Sequence, residues 1–321
     1  MRAIVRSRYG GPEVLALAEI DAPVPADDEV LIRVAAVAVS MGDVFVMRGE
    51  PRIGRLAFGV GRPRQAVIGR DVAGEVAAVG AAVTRFRVGD AVYAESDQGG
   101  FAELVAVPER FVATRPASVD AVHAAAVVVS GTTALQGLRL VELGPGSHLL
   151  VNGASGGVGG FAVQLAKAMG AEVTGVCRAS KADHVRAIGA DHVIDHETRD
   201  FTADEDRYDV VFDLVADHPL GRVRRSLTRR GTHTLAGGMG GGVLGPLGRM
   251  AAASVTSPFV SQHLRTLAAR RSGDDLAELA RRIDAGDVRP VVDEVFPLER
   301  AADAVARLEA GAVRGKVVIA V

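Results

Sequence analysis

The stretch Leu149-Leu-Val-Asn-Gly-Ala-Ser-Gly-Gly-Val-Gly159 decides how the chain is read. An apolar run ends in glycines at 153, 156 and 159, and an amphipathic segment, Phe161-Ala-Val-Gln-Leu-Ala-Lys-Ala-Met-Gly170, follows it. A strand that turns through glycines into a helix points that helix's unpaired N–H groups at an anion. A second apolar run at 172–177 completes a βαβ unit, and that context separates the motif from an ordinary tight turn. The loop therefore reads as a cradle for a dinucleotide pyrophosphate, built by Ala154, Ser155, Gly156, Gly157 and Val158.

The end of the second run bears on which dinucleotide binds. NAD sites place Asp or Glu there to accept from the ribose hydroxyls. Here Cys177-Arg-Ala-Ser-Lys181 carries no carboxylate, and Arg178, Ser180 and Lys181 can meet a 2′-phosphate. The expected cofactor is NADPH. The alternative leaves Arg178 and Lys181 as solvated charges at a helix start.

Outward from this unit the βα alternation continues. Helices are expected at 181–188 and 221–227, and strands at 192–194, 209–214 and 232–236. Such alternation calls for a parallel sheet covered on both faces. The segment 245–267 reads as partly helical. Before residue 115 the texture differs: valine-rich runs at 1–6, 29–39, 71–79, 90–94 and 102–107 alternate with Gly and Pro turns, as in a barrel-like sheet. After Ser118 an alanine-valine helix begins, and its His123 reads as a half-buried histidine. The tail offers helices at 274–285 and 298–309, an extended stretch at 288–297 and a closing strand at 315–321. It has no core of its own and is expected to pack on the first segment. The fold class is α/β: a β-rich domain from 1–117 and 262–321, with a doubly wound parallel-sheet domain, 118–261, inserted between them.

Composition sets limits. A chain of 321 residues suggests two domains. With 37 basic and 39 acidic side chains, neither nucleic acid nor a membrane is expected as a partner, and the arginines at 222–230 read as a solvated helix face. The lone Cys177 excludes an internal disulfide and any zinc site built from three or four cysteines. It reads as the end of a buried strand rather than a reactive thiol. The N-terminus lacks the apolar core of a signal peptide, and the low-charge stretch 237–260 is too rich in Gly and Pro to span a bilayer, so a cytoplasmic location is expected. Only three lysines occur, Lys167, Lys181 and Lys316.

Several landmarks recur together: Gly11-Pro-Glu-Val-Leu15, Val67-Ile-Gly-Arg-Asp-Val-Ala-Gly-Glu-Val76, Phe86-Arg-Val-Gly-Asp-Ala-Val92, Gly100-Phe-Ala-Glu103, Gly131-Thr-Thr-Ala-Leu135, the glycine loop, Gly189-Ala-Asp-His-Val-Ile-Asp195 and Gly315-Lys-Val-Val318. In this order the chain resembles, over nearly its full length, the zinc-free quinone reductase branch of the medium-chain dehydrogenase/reductase superfamily. Within that branch it looks closest to proteins labelled NAD(P)-dependent alcohol dehydrogenase. The resemblance implies a GroES-like catalytic domain, an inserted Rossmann domain, an active site in the cleft, and NADPH-dependent reduction of quinones or activated double bonds. It implies that Thr132 faces the cofactor and that Lys181 meets the 2′-phosphate. His196 stands near that phosphate, where the family often has tyrosine. Cys177 would abut the adenosine. Val215, Ala236, Gly237, Gly238, Met239 and Lys316 would line the nicotinamide end or its surroundings. The resemblance also admits a homodimer.

Zinc-dependent relatives are expected to carry an early cysteine and a His-Glu pair after a glycine. This chain has Ser40-Met-Gly-Asp43 and Gly69-Arg-Asp71 there, a donor set unsuited to zinc, so no metal is expected. Without a Lewis acid, quinones and enones are the easier acceptors, because conjugation spreads the incoming charge. The substrate is expected to be a small apolar or conjugated carbonyl compound. Ser40, Phe45 and Leu244 are candidate pocket residues, and the apolar side chains of 244–264 are a candidate lipophilic wall. Asp43 could orient the nicotinamide ribose or a water, or simply cap a helix. No general acid stands out. Two alternatives remain: an alcohol or aldehyde dehydrogenase, and a non-enzymatic NADPH sensor or structural protein.

Overall fold

The computed structural model describes residues 1–203, 207–237 and 247–321. In chain order the strands are β1 (Arg2–Val5), β2 (Ala16–Glu19), β3 (Glu29–Val39), β4 (Asp71–Val79), β5 (Ala91–Glu95), β6 (Leu104–Pro108), β7 (Val112–Thr114), β8 (His148–Asn152), β9 (Glu172–Cys177), β10 (His192–Asp195), β11 (Tyr208–Asp213), β12 (Leu227–Leu235), β13 (His263–Thr266), β14 (Val292–Pro297) and β15 (Lys316–Ala320). The helices are α1 (Met41–Arg48), α2 (Arg55–Phe58), α3 (Ala121–Leu138), α4 (Gly157–Ala168), α5 (Ala182–Ala187), α6 (Leu220–Ser226), α7 (Leu247–Thr256), α8 (Gly273–Asp284) and α9 (Ala301–Glu309).

Two compact units result: 1–132 with 271–321, and 133–270. The second boundary corrects the expected break at 261/262. His263–Thr266 pairs in parallel with β12 and is the sixth strand of the inserted sheet, not part of the tail. Four residues give too short a period to announce a strand. The first boundary falls inside α3 rather than at 117/118. On length and composition α3 would cross a bilayer, but it is mostly buried in protein, as a core helix of a globular chain is.

In the first unit β3 is the organising strand. Its first half pairs with β6 and its second half with β15, while β4 runs along the other edge. A register shift between Val34 and Ala36 marks the point of division. Such a bulge bends a strand and lets two partners share one side of it. The tail thus enters the sheet through β15, as expected, and β14 pairs with β15 in parallel. Valines 30, 34, 37, 39, 72, 92, 105 and 317 form the core. Buried Arg6 donates to the carbonyls of Val46 and Met47 at 2.7 and 2.9 Å, satisfying the last turn of α1.

The second unit is a parallel sheet in the order β10-β9-β8-β11-β12-β13. Counted along the sheet this is 3-2-1-4-5-6, and the order reverses between β8 and β11, where open α/β sheets bind their ligands. One face packs Leu150, Val176, Ile194, Val211, Val223 and Leu227 together. On the other face Phe212 fills the space left by Gly137 of α3, where an added Cβ would stand 2.3 Å from the ring. Phe212→Ala should therefore cost about 3–5 kcal/mol. We expect an earlier urea transition for the 133–270 unit, followed by far-UV circular dichroism.

Candidate active site

At the switch point the glycine loop has the expected form. Gly153 and Ala154 donate to the carbonyl of Val176 on β9, which pins the turn to the neighbouring strand. Gly153 has φ +94°, a conformation that favours glycine. A Cβ at Gly159 would lie 2.2 Å from the carbonyl oxygen of Gly153. Glycine there keeps the helix start against the loop. Gly156 is the N-cap of α4 and brings no side-chain oxygen to the first N–H groups of the helix. An uncapped twelve-residue helix behind a glycine cradle fits a pyrophosphate.

Beyond β9 the chain turns through Ala179–Lys181, and the expected 2′-phosphate residues follow in order. Arg178, Ser180 and His196 are exposed, and Lys181 is half-buried. Cys177 is buried, and burial raises its thiol pKa, as befits an unreactive strand end. One part of the sequence argument needs correction. Strand β10 pairs in parallel with β9 and brings carboxylates to this corner that are remote in sequence. Asp195 accepts from the N–H of Ala179 at 3.1 Å, and Glu197 stands 3.5 Å from Arg178. The corner is therefore not free of acidic groups, and Arg178 is partly neutralised.

The loops after β11 and β12 lie side by side: Ala236 donates to the carbonyl of Asp213, and a Cβ on Gly237 would meet that of Leu214 at 2.7 Å. Val215 lies within van der Waals reach of Gly153. Sequence reasoning missed the hub beneath them. Buried Asp213 accepts from Asn152, Val215 and Ala216 with one oxygen and faces His233 at 3.3 Å with the other. Burial alone would raise its pKa, but the hydrogen bonds from His233, Ala216 and Asn152 hold it low. They also hold Ala216 at φ +56°, strained for a non-glycine residue.

Gly238, Met239 and Leu244 lie outside the described residues, so no position is given for them. Within the second unit a cavity of about 260 Å³ is lined by Asp213, His218, His233, Leu235, Arg249 and Ala253, among others. The lipophilic wall expected from 244–264 takes a different form. Leu264 is buried in β13, whereas Val255 and Phe259 are 69% and 84% exposed. Of the described α7 side chains only Ala253 is buried, with Met250 half-buried. Arg222 and Arg225 lie on α6, but Arg229 and Arg230 belong to β12, so the basic run is not one helix face.

The first unit holds a buried charge cluster. Ser40 donates to Asp71 at 2.7 Å, and Lys316 donates to Ser40 at 2.6 Å and to Asp71 at 2.9 Å. Lys316 is thus buried and engaged within this unit. Asp43 is also fully buried and accepts from the backbone N–H of Ser40 at 2.8 Å, one half of a capping box for α1. This bond is a helix cap, one of the two roles expected of Asp43. Phe45, on the same helix, is half-buried. Thr132 is buried and donates to the carbonyl of Val128, so its proton is turned onto its own helix. Beside the cluster, Arg70 pairs with Glu95. Burial opposes the Arg70 charge, but Glu95, Asp71 and Asp43 outweigh it. Burial pushes Glu95 up to about 6.

Two cations face three acids here, so neutrality in a buried site favours one acid keeping its proton. Burial and the Asp71 charge push Asp43 up to about 7. A folded-state pKa above that of the unfolded chain stabilises the fold at low pH, and the benefit fades as pH rises through both values. Chemical denaturation between pH 4 and 8 should show wild-type stability falling towards pH 7. Asp43→Asn keeps the oxygen that accepts from Ser40 and should make that fall shallower, leaving the part that Glu95 contributes; an unchanged slope would exclude Asp43 as a source.

The donor set here does not fit zinc. A metal would have to displace an ammonium hydrogen-bonded to Ser40 and Asp71, next to the Arg70 guanidinium. Among the described residues no group of three or more His, Cys, Asp or Glu side chains could hold a metal.

Two family models match, "Alcohol dehydrogenase GroES-like domain" over residues 26–117 and "Zinc-binding dehydrogenase" over 188–319. The chain is 33% identical to NADPH-dependent alkenal/one oxidoreductase of Arabidopsis thaliana, over 99% of this chain and 79% of that protein. It is also 33% identical to quinone oxidoreductase of Pseudomonas aeruginosa, over 97% of each. Escherichia coli quinone oxidoreductase, solved in complex with NADPH, superposes with a TM-score of 0.85 at 27% identity over 100% of both chains. The order of the parallel sheet, the glycine cradle and these full-length likenesses agree: the chain belongs to the quinone oxidoreductase branch of the medium-chain dehydrogenase/reductase superfamily.

Proposed function

We propose that the protein is an NADPH-dependent, metal-independent reductase that acts on quinones and on activated carbon–carbon double bonds. The observation that carries this reading is the pair of sites in one chain: a glycine cradle built for a dinucleotide, and a polar cluster whose central cation is an ammonium. Bound NADPH supplies the hydride. The uncapped start of α4 holds the pyrophosphate, and Arg178 and Lys181 hold the 2′-phosphate. A conjugated acceptor spreads the incoming charge itself, which suits a site without a Lewis acid.

The direct test is NADPH oxidation against quinones, enones and simple aldehydes, with and without chelator. We expect turnover with the first two, unaffected by chelator. Chelator-sensitive reduction of aldehydes would mark a zinc dehydrogenase, and tight NADPH binding with no turnover would mark a sensor. Glu197→Gln removes the acid facing Arg178 and should lower the KM for NADPH by about 2–5-fold, the range of a surface ion pair, leaving that for NADH unchanged.

A further inference from the structure

We propose that Asp213, backed by His233, is a positioning residue for the dinucleotide: it holds residues 214–216 in a strained turn against the glycine cradle and so sets the affinity for the nicotinamide half of the cofactor. This rests on the NADPH reading above and lies wholly within the 133–270 unit.

Three observations carry it. First, the turn is one that the chain does not adopt unaided. Ala216, at φ +56°, is the only non-glycine with a positive φ among the described residues. Such a conformation persists only where its surroundings impose it. Second, Asp213 imposes it. Its Oδ1 accepts from the N–H groups of Val215 and Ala216 at 3.2 and 2.8 Å and from the Asn152 side chain at 2.9 Å. Its Oδ2 faces His233 Nε2 at 3.3 Å. The other imidazole nitrogen is buried without a partner, so among the described residues His233 serves Asp213 alone. An apolar side chain would fill that place on β12 without the cost of an unpaired polar atom. Third, the turn abuts the cradle. Asn152 ends β8 and leads directly into Gly153, and its carbonyl accepts from Leu214 at 3.2 Å. The Asn152 side chain also reaches Asp217 at 3.2 Å, so both ends of the turn are tied to β8. A Cβ at Gly153 would stand 3.1 Å from Val215 Cγ2.

The physical effect is preorganisation. The crevice of this sheet lies between β8 and β11, and Asn152 and Asp213 are the paired residues at its mouth. Without the Asp213 bonds, Ala216 relaxes out of the left-handed region and carries Val215 away from Gly153. NADPH then binds only the fraction of molecules whose turn is in place, and its affinity falls by that fraction. No covalent bond forms or breaks on the protein.

The experiment is equilibrium binding of NADPH and of 2′,5′-ADP, a fragment that keeps the 2′-phosphate and lacks the nicotinamide, with urea unfolding of every variant. Asp213→Ala should raise the Kd for NADPH by about 10-fold and leave that for 2′,5′-ADP within about 2-fold, as when about one molecule in ten keeps the turn. His233→Leu should show part of the same loss. Asp213→Asn keeps the oxygen that accepts from three donors and should recover most of it. Asp213→Ala/Ala216→Gly should also regain affinity, because glycine takes a positive φ unaided. Should Asp213→Ala fail to fold, Ala216→Val tests the turn with Asp213 in place: a β-branched residue fits a positive φ poorly, and the same split between the two ligands is expected. Equal losses for both ligands would mark a merely structural role and overturn the proposal, as would a folded Asp213→Ala with wild-type affinity for NADPH. A wild-type protein that binds neither ligand would instead overturn the cofactor reading.

Discussion

The hydrogen bonds among Lys316, Asp71 and Ser40 tie together segments that the chain keeps far apart. Ser40 sits where β3 gives way to α1, Asp71 opens β4, and Lys316 opens β15. One ammonium therefore fastens the last strand of the molecule to the turn that starts its first long helix. Removing Lys316 or Asp71 would leave a buried charge uncompensated, which costs far more than a surface ion pair contributes. This closure adds to the other ties of the tail: the pairing of β15 with β3, the Arg2–Glu299 and Arg48–Glu309 ion pairs, and the bond from the Tyr93 hydroxyl to the carbonyl of Leu276.

The same cluster explains why the site takes the form it does. In a low-dielectric site each added charge needs a partner. Lys316 and Arg70 balance Asp71 and Glu95, and Asp43 is the acid left over. Burial and then the Asp71 charge raise the Asp43 pKa. The ammonium and the guanidinium disfavour a divalent cation beside them. In the Rossmann unit the logic is inverted: the site is made by leaving groups out. Glycines at 153 and 159 remove side chains, and the bare N-cap of α4 leaves its N–H groups unpaired.

Much of this was legible in the sequence. The glycine loop, its strand and its helix were read correctly because their signals are local: turn chemistry, period and spacing. The long, valine-rich strands β3 and β4 were equally plain. Short elements were not. Val112–Thr114 and His263–Thr266 span too few residues to show alternation, and only pairing with β5 and β12 makes them strands. Helix α1 was missed because Met41-Gly-Asp-Val-Phe-Val-Met-Arg48 is short and β-branched in places, and only the Ser40 and Asp43 cap hints at it.

The sequence by itself determined the fold class and the dinucleotide cradle, because each depends on residues adjacent in the chain. Only the tertiary structure decided where Lys316 points, that Glu197 shadows Arg178, and that Asp213 organises the loops after β11 and β12. The reason is physical. Charge pairing in a buried site depends on distances across a sheet, and strand pairing, parallel or antiparallel, brings together residues that lie well apart in the sequence. Asp195 beside Ala179 and Lys316 beside Ser40 are both products of strand order, and strand order is settled only when the sheet forms.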